Sequence, residues 1–347
     1  MTAGKVLSLA LFVGAASCSG PKEALTEATA SAAPAAILPA DRPPAPPTAP
    51  APTAPVAPSL TPSASAAPPV TSPSAKPQGR CPDDDPTFTP TGEYSRKRKF
   101  TYGKARKDLE HEEISLFIRD ADCAWLSVGT GFTNDDGWVR IEIPETLVTT
   151  PSARAFQLVV RGDGSRAKGT LWAVRPGTAA VVFDVDATLT TSDAALFDEL
   201  LEGTVPEPRP NGSALAAALA RHDVLVVYLT GRPYFLGPLT RAWLESHGFP
   251  EGVVRTTKRL SDSAPTDQGV GAYKEAALRD LKGAGLDVRL AYGNAPTDIC
   301  AYARGGIDPR RTFILGPHGG EGCDGYPATH ALAGYIDHVG KVAELVP

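Results

Sequence analysis

The chain reads as an α/β domain with a parallel, Rossmann-like sheet, preceded by a small all-β sandwich, and three observations lead there. From Ala179 onward, apolar runs alternate with segments of helical length and pattern. From Cys81 to Pro176, short β-runs follow one another with only turns between them. Polar residues collect at the ends of the later apolar runs, where open parallel sheets carry their sites. Runs that are apolar throughout suit strands buried on both faces, whereas short strands with turn signals suit a sandwich. The expected boundaries are 1–18 for a leader, 19–80 for a tether, 81–176 for the Ig-like sandwich and 177–347 for the α/β domain.

The leader "MTAGKVLSLALFVGAASCSG" has a single Lys5 and then an apolar run from Val6 to about Ala16. That run is too short to span a bilayer of about 30 Å and reads as a signal peptide. Ala15, Ala16 and Ser17 before Cys18 resemble the lipobox of bacterial lipoproteins, although leucine is usual at Ala15. The resemblance implies lipidation of Cys18 and a place in the bacterial cell envelope, lipid-anchored and facing periplasm or exterior. The alternative is an ordinary secretory signal with an incidental cysteine. Between Pro21 and Arg80 stand 16 of the 34 prolines, among Ala, Ser and Thr. Such a stretch buries too little to offset its ordering entropy, so it is expected to be a tether, partly polyproline II.

The 347 residues carry a net charge of −5, which gives no ground for a nucleic-acid partner. One local exception is "SRKRKFTYGKARK", Ser95 to Lys107, with seven basic residues interleaved with Phe100 and Tyr102. It suits an anionic lipid surface, or equally a solvated turn neutralised by the "DLEHEE" that follows. Beyond Cys18 stand Cys81, Cys123, Cys300 and Cys323, with no C-x-x-C pair to suggest zinc. An even count in an oxidising compartment suggests disulfides. Sequence proximity favours 81 with 123 and 300 with 323, though three connectivities are open.

In the sandwich region the expected strands are "KFTY", "EISLFI", "AWLSVG", "WVRIEIP", "FQLVVRG" and "TLWAV", separated by breaks such as "TNDDG" and "GDGSRAKG". In the α/β domain they are "AAVVFDVD", "VLVVYLT", "GVVRTT", "VRLAYGN" and "TFILGP". Helices are expected near 193–202, 211–221, 233–247, 271–284 and 328–345.

The first of these strands ends in two carboxylates, Asp184 and Asp186, and phosphoryl transfer needs what the strand ends supply. Asp184 can attack phosphorus as a carboxylate, and Asp186 can protonate the departing alkoxide and then activate water. Two carboxylates so close repel each other without a cation, which a hard, oxygen-liganded Mg²⁺ would resolve, with Asp298 of "GNAPTD" as a further ligand. In "YLTGRP" the Thr230 hydroxyl and the following amides, beginning at Gly231, can bind phosphate oxygens. Lys274 in "GAYKEAALRDL" can neutralise the phosphoryl group, with Lys258 and Lys282 as competitors. Thr188 and Asn294 fall close enough in sequence to support the carboxylates. Each motif alone is equally well a turn or a solvated helix face; their order along the chain is what points to chemistry.

"DVDATLT", "YLTGR", "YKEAAL" and "GNAPTD", in that order, resemble the haloacid dehalogenase superfamily. More narrowly, "DVDATLTTSD", "TGRPYFLGPLTRAWLESHGFPEGVV" and "AYGNAPTDICAYARGGI" resemble the LNS2 domain shared by lipins and the C-terminal part of membrane-associated phosphatidylinositol transfer proteins, over roughly Ala179 to Pro317. Lipins are Mg²⁺-dependent phosphatidate phosphatases; the transfer-protein relatives lack a working catalytic motif and bind phosphatidic acid. The resemblance implies Asp184 as nucleophile and Mg²⁺ ligand, Asp186 as acid/base with its main-chain carbonyl on Mg²⁺, Asp298 as the remaining ligand, and Thr230 and Lys274 as phosphoryl-holding groups. Two positions depart from the superfamily pattern: Ala187 stands where glycine is usual, and Asn294 replaces an Asp, as it does in lipins. The 34 residues from Thr190 to Asp223 leave no room for a large cap, so an open site that admits a membrane phospholipid is expected. The expected activity is hydrolysis of phosphatidate to diacylglycerol through an aspartyl-phosphate. The alternatives are a non-catalytic phosphatidic-acid-binding module and a phosphatase of a soluble phosphoester or phosphoprotein.

Overall fold

The structure is a computed structural model, and it describes residues 81, 84–89, 91, 109–135, 137–147, 152–191 and 205–346. The expected leader with Cys18, the tether, the basic stretch 95–107 with the "KFTY" strand, and the helix near 193–202 lie outside the described residues.

The first region holds four antiparallel strands, β1 (Glu113–Arg119), β2 (Trp125–Phe132), β3 (Ser152–Val160) and β4 (Arg166–Ala173), in the order β2-β1-β3-β4. Alternation decides its faces. Ile114, Leu116 and Ile118 pack with Leu158, Leu171, Val139 and Ile141 on one side. On the other, Phe117 meets Phe88 edge-on and Gln157 bonds Asp85, so residues 84–88 cover that face. "WVRIEIP", expected as a strand, forms no strand. Glycines 129 and 131 explain this: a Cβ at Gly131 would lie 2.9 Å from the Arg140 carbonyl and the Val139 side chain. The segment therefore lies flat across the face of β2 instead of pairing at its edge. Among the described residues the region is one sheet with a coil-covered face.

The second region is a six-stranded parallel sheet. Its strands are β5 (Thr178–Phe183), β6 (Leu225–Pro233), β7 (Val253–Thr257), β8 (Leu286–Gly293), β9 (Thr312–Leu315) and β10 (His330–Leu332), in the order β10-β9-β8-β5-β6-β7. β5 sits centrally, and its run is buried on both faces. Val181 and Phe183 pack with Leu215 and Leu219 of α1 (Gly212–Arg221), Trp243 and Leu244 of α2 (Gly237–Ser246), and Tyr292, Phe313 and Tyr335. Ala180 and Val182 pack with Tyr273, Ala277, Leu278 and Leu281 of α3 (Ala272–Gly283) and with Tyr302 of α4 (Pro296–Arg304).

The strands expected from sequence are the strands found, and two helices differ. The stretch 328–345 is not a helix: it begins as β10 and continues as single turns α5 (Ile336–Val339) and α6 (Val342–Leu345). Gly334 and Gly340 interrupt it, and pairing with β9 captures its first residues. Helix α4, unexpected, starts at Pro296 directly behind β8.

Candidate active site

β5 hands its last residues to β8: the Asp184 amide donates to the Tyr292 carbonyl (2.9 Å), extending the ladder and setting the carboxyl beside the end of β8. The chain then turns sharply. Ala187 has φ of 53°, a left-handed conformation that costs a residue with a Cβ roughly 1 kcal/mol. The turn is held from outside, since Arg209 donates to the carbonyls of Ala187 (2.6 Å) and Thr188 (3.2 Å), and the Tyr335 hydroxyl donates to Thr188 as well (2.9 Å).

Lys274 projects from the first turn of α3 into the sheet and is not solvated. Its Nζ lies 2.6 Å from Asp184 Oδ1 and 2.6 Å from Asp298 Oδ1, and all three side chains are buried. Burial pushes the Asp184 carboxyl up, to about 7, and the neighbouring Asp298 and Asp186 push the same way against the pull of Lys274. Burial also works against the Lys274 ammonium, but attraction to Asp184 and Asp298 outweighs it and holds the amine above its ordinary range. Of the competitors, Lys258 pairs with Asp280 and Lys282 donates to the carbonyl of Gly306, so neither enters the site.

Position 274 is set by packing. A π-turn, Asp267–Gly271, precedes α3, and Val270 presses on Gly231 so closely that a Cβ there would lie 2.5 Å from Val270 Cγ2. Gly231, expected to bind phosphate, therefore also admits the neighbour that sets Lys274. Thr230 is fully buried; its hydroxyl donates to Asp186 Oδ2 (3.1 Å) and accepts from the Arg232 amide (3.1 Å), so it acts on Asp186.

Arg232 is the residue that sequence reasoning missed. Its guanidinium grips Asp186 with Nη2 and Nε at 2.9 and 3.0 Å from Oδ1, and its side chain has no exposed surface. The signal was an arginine inside a run otherwise bound for the interior, "YLTGRP".

Asp298 sits at the start of α4, and its two oxygens are committed. Oδ1 takes Lys274, and Oδ2 accepts from the amides of Asn294 (3.1 Å) and Ala295 (3.2 Å). These bonds anchor the carboxylate beside Asp184. The Asn294 amide approaches Thr188 Oγ1 (3.0 Å), the Asp186 main-chain carbonyl (3.1 Å) and Asp184 Oδ2 (3.2 Å). With its nitrogen inward it donates to all three; with its oxygen inward it places a third hard oxygen beside Asp184 Oδ2 and the Asp186 carbonyl, the donor chemistry Mg²⁺ selects. Among the described residues no cluster of three or more His, Cys, Asp or Glu side chains is arranged for a metal, and the set here combines side-chain oxygens with a main-chain carbonyl. Three carboxylates against Lys274 and Arg232 also leave one negative charge in excess.

Cys300 of α4 is bonded to Cys323, tying the helix that carries Asp298 to the Gly-rich loop after β9. Cys81 and Cys123 are also in disulfide form.

Residues 181–316 match the family model of the LNS2 domain of PITM 1-3. Human membrane-associated phosphatidylinositol transfer protein 1 is 28% identical over 221 residues, which cover 63% of this chain and 17% of that protein. The Drosophila melanogaster protein retinal degeneration B is 28% identical over 225 residues, 64% of this chain and 17% of that one. The chain thus spans about a sixth of the length of these relatives. Among solved structures, a putative HAD-like phosphatase from Mesorhizobium loti superposes with a TM-score of 0.36 at 18% identity, covering 57% of this chain and 94% of that one. The cobalt-bound deoxy-D-mannose-octulosonate 8-phosphate phosphatase from Haemophilus influenzae gives 0.33 at 19% identity, covering 49% and 89%. The six-stranded parallel sheet, with its polar residues at the ends of β5, β6 and β8, is the architecture expected from the sequence, and residues 181–316 of the chain are similar to the LNS2 domain.

Proposed function

We infer that the protein is a Mg²⁺-dependent phosphatase of phosphate monoesters, with phosphatidate as its substrate and diacylglycerol as product. The observation that carries this reading is the buried triad in which Lys274 joins Asp184 to Asp298 while Asp186, two residues from the nucleophile, keeps a partly exposed carboxylate. A structural lysine would not need two buried carboxylates and a third beside them.

Asp184 Oδ2, the Asp186 carbonyl and Asn294 Oδ1 would hold the metal, which when bound polarises the phosphoryl group and offsets charge. Asp184 attacks phosphorus, and the bond to the ester oxygen breaks as Asp186 delivers a proton to it. Asp186 then takes a proton from water, whose oxygen attacks the aspartyl-phosphate and frees inorganic phosphate and the Asp184 carboxylate. Lys274 holds Asp184 in place and offsets the charge of the incoming phosphoryl group.

The phospholipid substrate is supported by the LNS2 match and by relatives named as membrane-associated phosphatidylinositol transfer proteins. Lipid anchoring through Cys18 at a bacterial envelope fits the same picture and rests on the leader sequence alone. Among the described residues no helix is long and apolar enough to cross a membrane. The test is diacylglycerol and phosphate release from phosphatidate vesicles with and without Mg²⁺, beside a short soluble phosphoester. Activity that survives Asp184→Asn overturns the mechanism. Vesicle binding without phosphate release replaces it with the lipid-binding reading that the transfer-protein relatives suggest, and faster turnover of the soluble ester replaces the substrate.

A further inference from the structure

Arg232 can do something the phosphoryl group never sees. Its side chain is completely enclosed, so it cannot touch a substrate, yet it spends three of its hydrogen bonds on Asp186, whose side chain is 22% exposed. A further one runs the other way, from Nη1 to the Thr240 hydroxyl (3.3 Å), and Thr240 in turn donates to the Leu236 carbonyl (2.9 Å) at the entry to α2. Thr230 closes the set on Asp186 Oδ2. A carboxylate has about four lone-pair directions. Here the fork and the hydroxyl take the inward ones, and only the outer edge is left to meet a leaving oxygen or a water.

We propose that Arg232, braced by Thr240, is the positioning residue that aims Asp186 at the ester oxygen. A planar fork fixes the plane of the carboxylate as well as its place, which an ammonium in the same position would not do. The role rests on the phosphatase reading above and adds to it a hydrogen-bond chain that runs from Thr240 of α2 through Arg232 to the proton donor.

The test uses the dependence on the leaving group, because only a poor leaving group needs the proton from Asp186. The full-length protein is assayed with Mg²⁺ on an alkyl phosphate and on p-nitrophenyl phosphate, whose departing phenolate needs no proton. In Arg232→Lys and in Thr240→Val, single-turnover cleavage of the alkyl ester is expected to fall about 100-fold and about 10-fold, within the range of general acid catalysis. The p-nitrophenolate burst should fall less than about threefold, with slower steady-state turnover because the base step suffers. Equal losses on both esters, or none in either variant, overturn the role while leaving the enzyme assignment intact. Wild-type protein that releases no phosphate from either ester overturns both. A second readout needs no metal or turnover. Asp186→Asn should lower the melting temperature, because Arg232 loses the carboxylate that takes three of its hydrogen bonds, and adding Arg232→Gln should restore part of that loss. Additive losses in the double variant overturn the pairing.

Discussion

Replacing Asp184 by asparagine should stabilise the metal-free protein at pH 8 while abolishing phosphate release. The carboxyl is buried, shares one ammonium with Asp298, and titrates near 7 in the fold against 3.8 when exposed. Between those two values the native state holds more protons than the unfolded one, so the stability this group contributes is fully present below about pH 4 and declines as the pH rises through 7. A gap of about three units at about 1.4 kcal/mol each puts the cost of ionised Asp184 on the order of 4 kcal/mol at pH 8, as a ceiling. Asparagine keeps the shape and an oxygen for Lys274 and removes that cost. At roughly 2–4 °C per kcal/mol for a chain of this size, even half the ceiling raises Tm by several degrees. The assay is thermal unfolding in EDTA at pH 8 and pH 5, with and without Mg²⁺. The gain should shrink by more than half at pH 5, and Mg²⁺ should raise the Tm of the wild type much more than that of the variant. A variant that melts below the wild type at pH 8, or whose advantage grows on acidification, refutes the reasoning.

Three further outcomes follow from geometry. Ala187→Gly relieves the positive φ, but the added freedom of the unfolded chain offsets most of that gain, so a stabilisation of at most about 0.5 kcal/mol is expected, read as a slightly higher denaturant midpoint with unchanged slope. Gly231→Ala places a methyl 2.5 Å from Val270 Cγ2; a loss of about 1–3 kcal/mol is expected, with a fall in activity as Lys274 shifts, and Val270→Ala in the same chain should recover both. Cys300→Ser opens a loop of sequence separation 23 and should cost about 3 kcal/mol, a loss that Cys323→Ser reproduces and that the double variant does not exceed, read as the denaturant midpoint without reducing agent.

Much of the site was readable because it is local. Asp184, Asp186 and Thr188 share one turn at the end of an apolar run, and Asn294 and Asp298 share another. Their roles were less readable. Asp298 has the chemistry of a metal ligand, and only the fold shows that it also caps the start of α4 and pairs with Lys274. Thr230 stands at a strand end, as a phosphate-binding residue would, but points its hydroxyl at Asp186. In the first region, the alternation of "WVRIEIP" reads as a strand because burying alternate residues gives the same pattern whether or not the backbone pairs. Val139 and Ile141 are buried with no ladder beside them.

Sequence alone determined the parallel sheet and the placing of two carboxylates at its central strand. A continuous apolar run can be satisfied only between two covering layers, and the first polar residues after it must emerge at the strand end. From the residues alone Lys258, Lys274 and Lys282 look alike along the chain; the resemblance pointed to Lys274, and the tertiary structure places it against the carboxylates. Only Lys274 is carried 90 residues across the fold to Asp184. Tertiary structure alone decided that Arg232 faces inward to Asp186 and that Asn294 approaches Asp184 more closely than its spacing suggests. Those pairings depend on how α2, α3 and α4 pack on the sheet, and side chains that meet through packing leave no periodicity in the sequence to read.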